Sequence, residues 1–348
     1  MNPYALTIML SSLGIGTTLT FASSHWLLAW MGLEINTMAI IPLMAQQHHP
    51  RATEATTKYF LTQATAAALV LFASTTEAWL MGHWNIQSIS TPIPMTLITL
   101  ALALKIGLAP MHFWMPEVLQ GLDLSTGLIL TTWQKLAPFA LIYQIAPNMN
   151  TTLLMIMGLT STLIGGWGGL NQTQLRKIMA YSSIAHMGWM IMVLQFMPSL
   201  TILNLTIYIM MTATMFLALK NISATKINTL ATTWSKTPML TTITLICLLS
   251  LGGLPPLTGF MPKWLILQEL AKQELPLMAT IMALSTLLSL FFYLRLCYAM
   301  TLTISPNTNN TTAPWRLKSA QASMPMTISM SLTLLLLPMT PTMLALAS

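Results

Sequence analysis

Long apolar stretches recur from one end of the chain to the other, and they limit what it can fold into. Hydrophobic residues make up 55% of the 348 positions and charged residues only 6%. A water-soluble protein of this composition would have too little polar surface to cover its core. We therefore expect the chain to lie within a lipid bilayer.

About eleven of these stretches are long enough to cross the roughly 30 Å hydrocarbon core as α-helices. Strands are a poor alternative, because an open sheet leaves backbone groups unpaired in lipid and the stretches lack the alternation of a membrane β-barrel. The sequence thus predicts an all-α polytopic transmembrane helix bundle, folded as a single domain over 1–348. The predicted spans are 3–21, 25–46, 56–81, 94–121, 125–145, 149–171, 176–197, 199–220, 237–271, 276–300 and 323–345.

Residue usage disfavours several classes of function. The net charge is +7, but the 14 lysines and arginines are scattered singly, so nucleic acid is not an expected partner. Cys247 and Cys297 have neither CxxC spacing nor neighbouring ligands, and Gly14-Ile-Gly16 completes no dinucleotide fingerprint. No basic segment precedes the first apolar stretch, so no cleavable targeting segment is expected. The chain itself is predicted to bind no cofactor and no metal.

The connections between the predicted spans differ sharply in charge. Nine lysines and arginines fall in even-numbered connections, whereas the odd-numbered ones hold only Lys272. Because basic loops stay on the inner side, the N-terminus is predicted to lie there and the C-terminus on the opposite side. The Asn- and Thr-rich segment 307–314 is interpreted as a surface loop, and its N-x-T triplets as a matter of composition. The nine basic residues are Arg51, Lys58, Arg176, Lys177, Lys220, Lys226, Lys236, Arg316 and Lys318.

A glycine-rich run, Gly165-Gly-Trp-Gly-Gly169, lies in the predicted span 149–171. Its small residues recur at a spacing that lets two membrane helices approach closely. No strand precedes the run and no Lys-Ser/Thr pair follows it, so it does not predict a phosphate-binding loop.

Two predicted spans are interrupted by glycine and proline in the same pattern. Gly107 and Gly253 lie 146 residues apart, and the leucines, prolines and methionines that follow them keep this offset. Five matches at one offset predict an internal repeat of five spans, whose second copy must be inverted in the membrane. Repeat one then covers about 3–145, repeat two about 149–300, and a C-terminal helix about 323–345. The alternative is that Gly-Leu-x-Pro is simply a common way for a membrane helix to kink.

A few ionisable residues fall inside the predicted spans. Lys105 and Lys135 lie near the middle of theirs, and Glu34 is the one carboxylate that we expect at such depth. A lysine there costs roughly 2.5–3.5 kcal/mol even on lenient insertion scales, so a function or an obligatory ion pair is expected. A solvated or interfacial position is predicted for Glu54 and Glu77, near span ends, and for Asp123, Lys272 and Glu274, in short loops.

Buried amines of this kind could carry protons, because burial makes an ammonium group release its proton more readily. A carboxylate about 4 Å away acts on such a group with on the order of 4 kcal/mol at an effective dielectric near 20. The hypothesis is that a Glu34–Lys105 pair opens and closes, and that the proton of Lys135 then passes to Lys263. The alternative is a permanent structural ion pair of Glu34 with either lysine.

Two histidines, His112 and His186, also fall within predicted spans. Histidine is poised near neutral pH, so either residue could relay protons. A neutral histidine that is hydrogen-bonded within the bundle is the alternative for each.

In four motifs the chain resembles the antiporter-like membrane subunits of respiratory complex I. Its high methionine content, 30 residues, resembles that of the mitochondrially encoded members of this family. The first two are Met-Gly-Leu-Glu34 and Lys105 ahead of Gly-Leu-Ala-Pro-Met-His-Phe-Trp. The other two are Trp-Gln-Lys135-Leu-Ala-Pro and Gly-Gly-Leu-Pro-Pro-Leu-Thr-Gly-Phe-Met-Pro-Lys263-Trp. The resemblance implies two inverted five-helix units and a proton channel through Glu34, Lys105, Lys135 and Lys263.

The same resemblance implies a setting for the chain. It would be a subunit of a proton-pumping NADH:ubiquinone reductase in the mitochondrial inner membrane, with its N-terminus and basic loops on the matrix side and its C-terminus on the intermembrane-space side. NADH, FMN, iron–sulfur clusters and ubiquinone would be bound by partner subunits. Other antiporter-like and small membrane subunits would be its neighbours. Bacterial relatives begin with three further helices, which puts in doubt any contact those helices would make here.

Two other functions stay open. A cation/proton antiporter would share the architecture, although sodium favours several oxygen ligands and one deep carboxylate provides few. A scaffold subunit that moves no protons would also fit the bundle.

Overall fold

The computed structural model describes residues 2–45, 49–234, 237–302 and 324–347. These ranges are mostly helical and hold no strand beyond two isolated bridges, which confirms the all-α prediction. Lys236, Arg316, Lys318 and the segment 307–314 lie outside the described residues. The helices are α1 Pro3–Ala22, α2 Trp26–Met44, α3 Pro50–Met81, α4 Pro92–Ile106, α5 Trp114–Gly121, α6 Leu124–Thr131, α7 Trp133–Ile145, α8 Thr151–Gly169, α9 Leu175–Val193, α10 Pro198–Ile222, α11 Ile227–Ala231, α12 Pro238–Gly252, α13 Phe260–Lys272, α14 Pro276–Thr301, α15 Met324–Leu335 and α16 Thr340–Ala347.

Within the described ranges, six helices are long and apolar enough to cross a membrane by themselves. They are α1, α2, α3, α8, α10 and α14. A seventh span results if the C-terminal pair Met324–Leu335 and Leu337–Ala345, bent by 67°, counts as one. The shorter apolar helices α4 and α12 are the first halves of the two interrupted spans. The number eleven stays a prediction.

Helix α3 begins earlier than predicted, at residue 50 rather than 56. Pro50 stands in its first turn, where a missing N–H is tolerated, and the His49 side chain accepts the N–H of Arg51 at 3.2 Å. Arg51 and Lys58 therefore lie in a helix and not in a loop. A helix of 32 residues is about 48 Å long, which exceeds the hydrocarbon core, so its polar first turns can lie outside it.

The predicted continuous span 125–145 is wrong in one respect, because the helix is interrupted at Thr132, between α6 and α7. Thr132 has a φ of −110°, well away from the ordinary α-helical value near −63°. Pro138, farther along, lacks the N–H that would bond the carbonyl of Gln134. At the interruption itself, the hydroxyls of Thr131 and Thr132 donate to carbonyls of α6, at 2.9 Å to Gly127 and at 2.7 Å to Leu128. The interruption lies three residues before Lys135.

The two long interruptions have the same backbone geometry. Each first helix ends in a glycine with positive φ, Gly107 at 83° and Gly253 at 80°. Each end also forms the hydrogen-bond pair of a Schellman motif, which closes off the last carbonyls. The bonds run from the N–H of Gly107 to Leu104 (3.2 Å), of Leu108 to Ala103 (2.9 Å), of Gly253 to Ser250 (2.9 Å) and of Leu254 to Leu249 (3.3 Å). The positions that these bonds join correspond at the offset of 146, which supports the repeat; the inverted arrangement stays a prediction.

The chain divides into two compact units, Met1–Ser161 and Thr162–Ser348. In the first, α2 packs on α1, where Gly16 and Gly32 let the backbones approach closely, and α3 packs on α2, α4 and α5. In the second, α10 packs against α9, α12 and α15, and α14 packs against α12 and α13. The single-domain prediction over 1–348 is not tested by this division.

The glycine run at the end of α8 makes the close helix contacts that its spacing predicts. A Cβ on Gly165 would lie 2.7 Å from the backbone nitrogen of Ala185 in α9, and one on Gly169 would lie 2.7 Å from the ring of Phe292 in α14. No larger residue fits there without displacing a neighbouring helix.

Candidate functional site

A small polar cavity lies inside the first unit, among α2, α3, α4 and α7. It offers about 10 Å³ to the centre of a water molecule, which is room for about one water. Leu33, Trp114 and Met115 are among its apolar walls. Its polar walls are Asn36, Thr37, Tyr59, Gln63, Lys105, Gln134 and Lys135.

Lys105 and Lys135, two of the residues singled out in the sequence, line this one cavity. Their side chains are buried, with 6% and 2% of their surface exposed. Lys105 stands in the last turn of α4, where the carbonyl end of the helix favours a positive charge. Lys135 stands in the first turn of α7, where the helix dipole has the opposite sign. The two amines therefore share a cavity but experience opposite helix ends.

Glu34 lies on α2 beside this site but does not line the cavity. Its Oε2 accepts a hydrogen bond of 3.0 Å from the hydroxyl of Thr37. Among the described residues it has no ion-pair partner. The hypothesised Glu34–Lys105 pair is open in this structure.

Lys263 belongs to the second unit, in the first turn of α13. Its Nζ donates a hydrogen bond of 2.8 Å to the carbonyl of Gly252, the last residue of α12. The amine thus satisfies one of the carbonyls that the interruption leaves exposed. In the first unit, Trp114 donates its Nε1–H to the carbonyl of Leu104 at 3.0 Å, and this carbonyl also accepts the N–H of Gly107.

The repeat does not place like charges at like positions. Lys263 corresponds to Glu117 at the offset of 146, since 263 − 146 = 117. Glu117 is half-exposed and accepts a 2.8 Å bond from Lys58, which also pairs with Glu54 at 2.8 Å. Lys105 corresponds to Leu251, since 105 + 146 = 251. The two interrupted spans therefore carry their ionisable residues at different positions.

Both predicted histidines are buried and both have protein contacts. His112 lies between α4 and α5, with its Nδ1 3.2 Å from the carbonyl oxygen of Pro110. His186 lies on α9, with its ring centroid 5.6 Å from that of Tyr208. Such contacts fit the structural alternative equally well, so a relay role stays a prediction for each.

The sequence reasoning missed the buried amides of the cavity. Asn36 is 2% exposed and Gln63 is 4% exposed, and the backbone carbonyl of Asn36 accepts from the side chain of Gln134 at 3.2 Å. An Asn or Gln within an apolar span needs a hydrogen-bond partner, because lipid offers none. The presence of Asn36 and Gln63 in predicted spans was therefore the sequence signal that could have identified them.

Glu77 is a buried carboxylate, so the expectation that it is solvated is wrong, whereas an interfacial position stays a prediction. It is 1% exposed, near the end of α3. Its Oε1 accepts the N–H of Ser90 at 3.0 Å, and its Oε2 accepts the hydroxyl of Thr91. Glu77 is buried because it joins the start of α4, where backbone N–H groups lack helical partners.

Within the four described ranges, no group of three or more His, Cys, Asp or Glu residues is placed to hold a metal ion. Cys247 is buried and Cys297 is partly buried, and both are free thiols.

Comparison with known families agrees with the helical fold and the interrupted spans. Residues 23–289 match the family model of NADH:quinone oxidoreductase/Mrp antiporter transmembrane subunits. Residues 290–344 match that of the NADH dehydrogenase subunit 2 C-terminus. The chain therefore belongs to the NADH:quinone oxidoreductase/Mrp antiporter family of membrane subunits, and the resemblance found in the motifs is confirmed.

Individual relatives show which members of this family the chain is similar to. The chain is 72% identical over 348 residues to NADH-ubiquinone oxidoreductase chain 2 of Carassius auratus, covering 100% of both chains. It is 68% identical to the protein of that name from Oncorhynchus mykiss, with 99% of each chain covered. Its sequence relatives are thus chain 2 proteins of this oxidoreductase, which are membrane-embedded complex I subunits.

Solved structures share the fold. A chain of respiratory complex I from Thermus thermophilus superposes with a TM-score of 0.83 at 26% identity, over 97% of this chain and 80% of that one. A chain of the Mrp complex from Dietzia superposes with a TM-score of 0.86 at 16% identity, over 97% and 76%, and shows the fold alone.

Proposed function

We propose that the chain is a proton-translocating membrane subunit of respiratory complex I, which couples NADH:ubiquinone oxidoreduction in other subunits to proton pumping. The observation that carries this proposal is the pair Lys105 and Lys135, two buried amines on one cavity with room for about one water. The name of the relatives supports the redox half of the reaction, and NADH, FMN, iron–sulfur clusters and ubiquinone then belong to partner subunits.

Glu34 supplies the switch in this proposal. With the pair open, as here, the carboxylate acts on Lys105 only at a distance. A rotation that brings the two groups to about 4 Å would add on the order of 4 kcal/mol of attraction at an effective dielectric near 20. A change of this size exceeds the roughly 2.3 kcal/mol that 100 mV imposes on one charge. Closing the pair therefore stabilises the protonated form of Lys105. The positive charge of Lys105 then repels the proton of Lys135, which passes towards Lys263.

Lys263 accepts that proton in the second unit. Its bond to the carbonyl of Gly252 holds the ammonium at the end of α12, where the helix dipole favours it. His112 and His186 serve as auxiliary relay groups. The membrane is the mitochondrial inner membrane, with the basic connections and the N-terminus on the matrix side and the C-terminus on the intermembrane-space side.

The test is Lys135→Met in the assembled complex, reconstituted into vesicles and supplied with NADH and a quinone. Proton uptake per electron is read from a pH-sensitive dye. Pumping should fall because methionine matches the shape of lysine but binds no proton. The matched control is Lys272→Met, at a side chain that is 63% exposed, and it should pump normally.

Two results would contradict the proposal. Normal pumping by Lys135→Met in a fully assembled complex would favour the scaffold function. Proton exchange that depends on sodium and continues without NADH would favour a cation/proton antiporter.

A further inference from the structure

We propose that Thr258 is a positioning residue, which fixes the second interrupted span by bonding it to the C-terminal helix α15. Thr258 lies in the segment between α12 and α13, and its partner Thr333 lies near the end of α15. The inference rests on the proposed function for the role of Lys263, and it gives α15 a task that no sequence motif assigns to it.

One hydrogen bond joins the two elements. The hydroxyl of Thr258 donates to the backbone carbonyl of Thr333 at 2.6 Å. Both residues are buried, with 1% and 2% of their surface exposed. A hydrogen bond is stronger in such an interior than in water, so it favours one arrangement of the two elements over others.

The carbonyl of Thr333 can accept this bond because α15 is about to end. It is one of the last four carbonyls of a helix that ends at Leu335, and such carbonyls lack a partner in their own helix. Pro338 lies shortly beyond and has no N–H with which to continue the helix. The C-terminal pair is bent by 67° at the same place. Two breaks in apolar helices therefore meet, and a threonine at one satisfies an open carbonyl at the other.

Helix α15 contacts both halves of the interrupted span through one residue. The Oγ1 of Thr333 lies 3.7 Å from the sulfur of Cys247, in α12. The carbonyl of Thr333 holds Thr258, whose own carbonyl accepts the N–H of Met261, in the first turn of α13, at 3.3 Å. Helix α15 thus bridges the helix that ends at the interruption and the helix that begins after it.

The bridged segment sets the position of Lys263. A Cβ on Gly259 would collide with the carbonyl oxygen of Ser250, so the segment lies directly against the end of α12. Lys263 follows in the first turn of α13, and its Nζ reaches back to the carbonyl of Gly252. Displacing Thr258 would move the start of α13 relative to α12 and would separate this amine from its acceptor.

The pattern that the two interruptions share does not predict this bond. Thr258 corresponds to His112 at the offset of 146, since 258 − 146 = 112. The first interruption therefore has an imidazole at the position where the second has the bonding hydroxyl. Thr258 serves the interruption that carries Lys263.

The first experiment is a density map of the assembled complex that resolves these side chains. The hydroxyl oxygen of Thr258 is expected roughly 2.5–3.0 Å from the carbonyl oxygen of Thr333. A separation beyond roughly 3.5 Å overturns the inference. This measurement needs no variant, so a folding defect cannot obscure it.

The second experiment compares Thr258→Val with Thr258→Ser in the assembled complex. Valine keeps the shape of threonine and loses the hydroxyl, whereas serine keeps the hydroxyl and loses a methyl group. Thr258→Val should lower the number of protons pumped per electron by roughly twofold to tenfold, the net value of one hydrogen bond, and Thr258→Ser should restore it. Backbone hydrogen exchange of residues 253–261 should rise in the valine variant only. A side chain that merely filled space would give the opposite order, with serine impaired and valine normal.

Thr327→Val is the matched control, at an exposed position of the same helix α15. The hydroxyl of Thr327 bonds the carbonyl of Met324 in its own helix, at 3.0 Å. The control should change neither the proton ratio nor the hydrogen exchange. All variants are compared at equal amounts of assembled complex, so that a loss of assembly is not counted as a loss of pumping.

The outcomes separate this inference from the proposed function. If Lys135→Met abolishes pumping while Thr258→Val pumps normally, Thr258 is not a positioning residue and the proposed function stands. If Lys135→Met pumps normally, the proposed function is wrong, and the part of the inference that concerns Lys263 is wrong with it. The bond to α15 is then judged by the density map and by hydrogen exchange, which do not depend on pumping.

Discussion

At the scale of single residues, Lys263 and Lys105 show two ways in which a helix interruption holds an amine. Lys263 reaches back to the end carbonyl of α12, and it passes over Gly253, whose missing Cβ leaves the space. Lys105 stands on the closing turn of its own helix and faces the cavity. The first arrangement ties the amine to the backbone, and the second leaves it able to exchange partners.

Gly253→Ala should combine two costs. The positive φ of 80° should cost an alanine about 1–2 kcal/mol, and the new Cβ would lie 2.9 Å from Lys263 Nζ. Gly82→Ala isolates the first cost, because Gly82 has a φ of 76° and open space around it. The expected result is a modest loss of thermal stability for Gly82→Ala, and a larger loss together with reduced pumping for Gly253→Ala. Equal behaviour of the two variants would show that Lys263 can move aside without effect.

At the scale of elements, each of the two interruptions at Gly107 and Gly253 is stabilised by hydrogen bonds from both of the helices that flank it. The first helix ends in a Schellman turn, and a side chain from the second helix donates to one of its last carbonyls. This double closure explains how irregular backbone is tolerated at membrane depth, where unpaired groups have no water to bond. The Gly-Leu-x-Pro pattern predicted the turn. The Trp114 and Lys263 bonds depend on how the second helix folds back.

Trp114→Phe should loosen the first break. The variant keeps the aromatic contact with Tyr59, whose ring centroid is 5.7 Å away, but loses the N–H that bonds Leu104. We expect a loss of about 1 kcal/mol in stability, the usual net value of one hydrogen bond. Hydrogen exchange of the α4 backbone should rise in the variant. Trp79→Phe, at a side chain that is 89% exposed, is the control and should leave exchange unchanged.

Gly165→Ala tests the close approach of α8 to α9. A methyl group 2.7 Å from the backbone nitrogen of Ala185 should push the helices apart and cost about 1–3 kcal/mol. The amount of assembled complex and its inactivation temperature measure this. Gly14→Ala, in a helix with no atom within 4 Å of the new methyl, should be neutral or slightly stabilising. A neutral Gly165→Ala would contradict the packing.

At the scale of the whole molecule, the uneven distribution of basic residues predicts how the chain sits in its membrane. The basic connections of the first unit include the start of α3, where Lys58 joins Glu54 and Glu117 at the surface. The far end of α3 leads to a connection that holds no lysine or arginine, residues 82–91. Charge therefore distinguishes the two ends of one long helix.

Cysteine labelling tests this orientation. A cysteine at the exposed Thr57 should react with a membrane-impermeant thiol reagent from the matrix side only, and one at the exposed Gln87 from the intermembrane-space side only. Mass spectrometry of the chain reads the modified site. The unsubstituted chain is the control, because it measures any labelling of its own thiols, the buried Cys247 and the partly buried Cys297. Labelling of both positions from one side would refute the orientation.

The sequence by itself determined the features that depend on local chemistry. Runs of apolar residues specify membrane helices because only a helix satisfies its own backbone in lipid. Gly107 and Gly253 specify the two breaks because a helix that closes in the left-handed region favours glycine. Counting residues along each span predicted that Lys105 and Lys135 lie deep in the membrane, and both side chains are buried within the protein.

Only the tertiary structure decided which of these buried groups meet. Asn36 and Gln63 come from helices whose own sequences do not show that they line one cavity with Lys105, and Glu77 is buried where it contacts the residues just before another helix. The interruption at Thr132 also went unseen. Such features depend on the rotation and lateral packing of helices, and several faces of a uniformly apolar helix can pack equally well, so local sequence does not select among them.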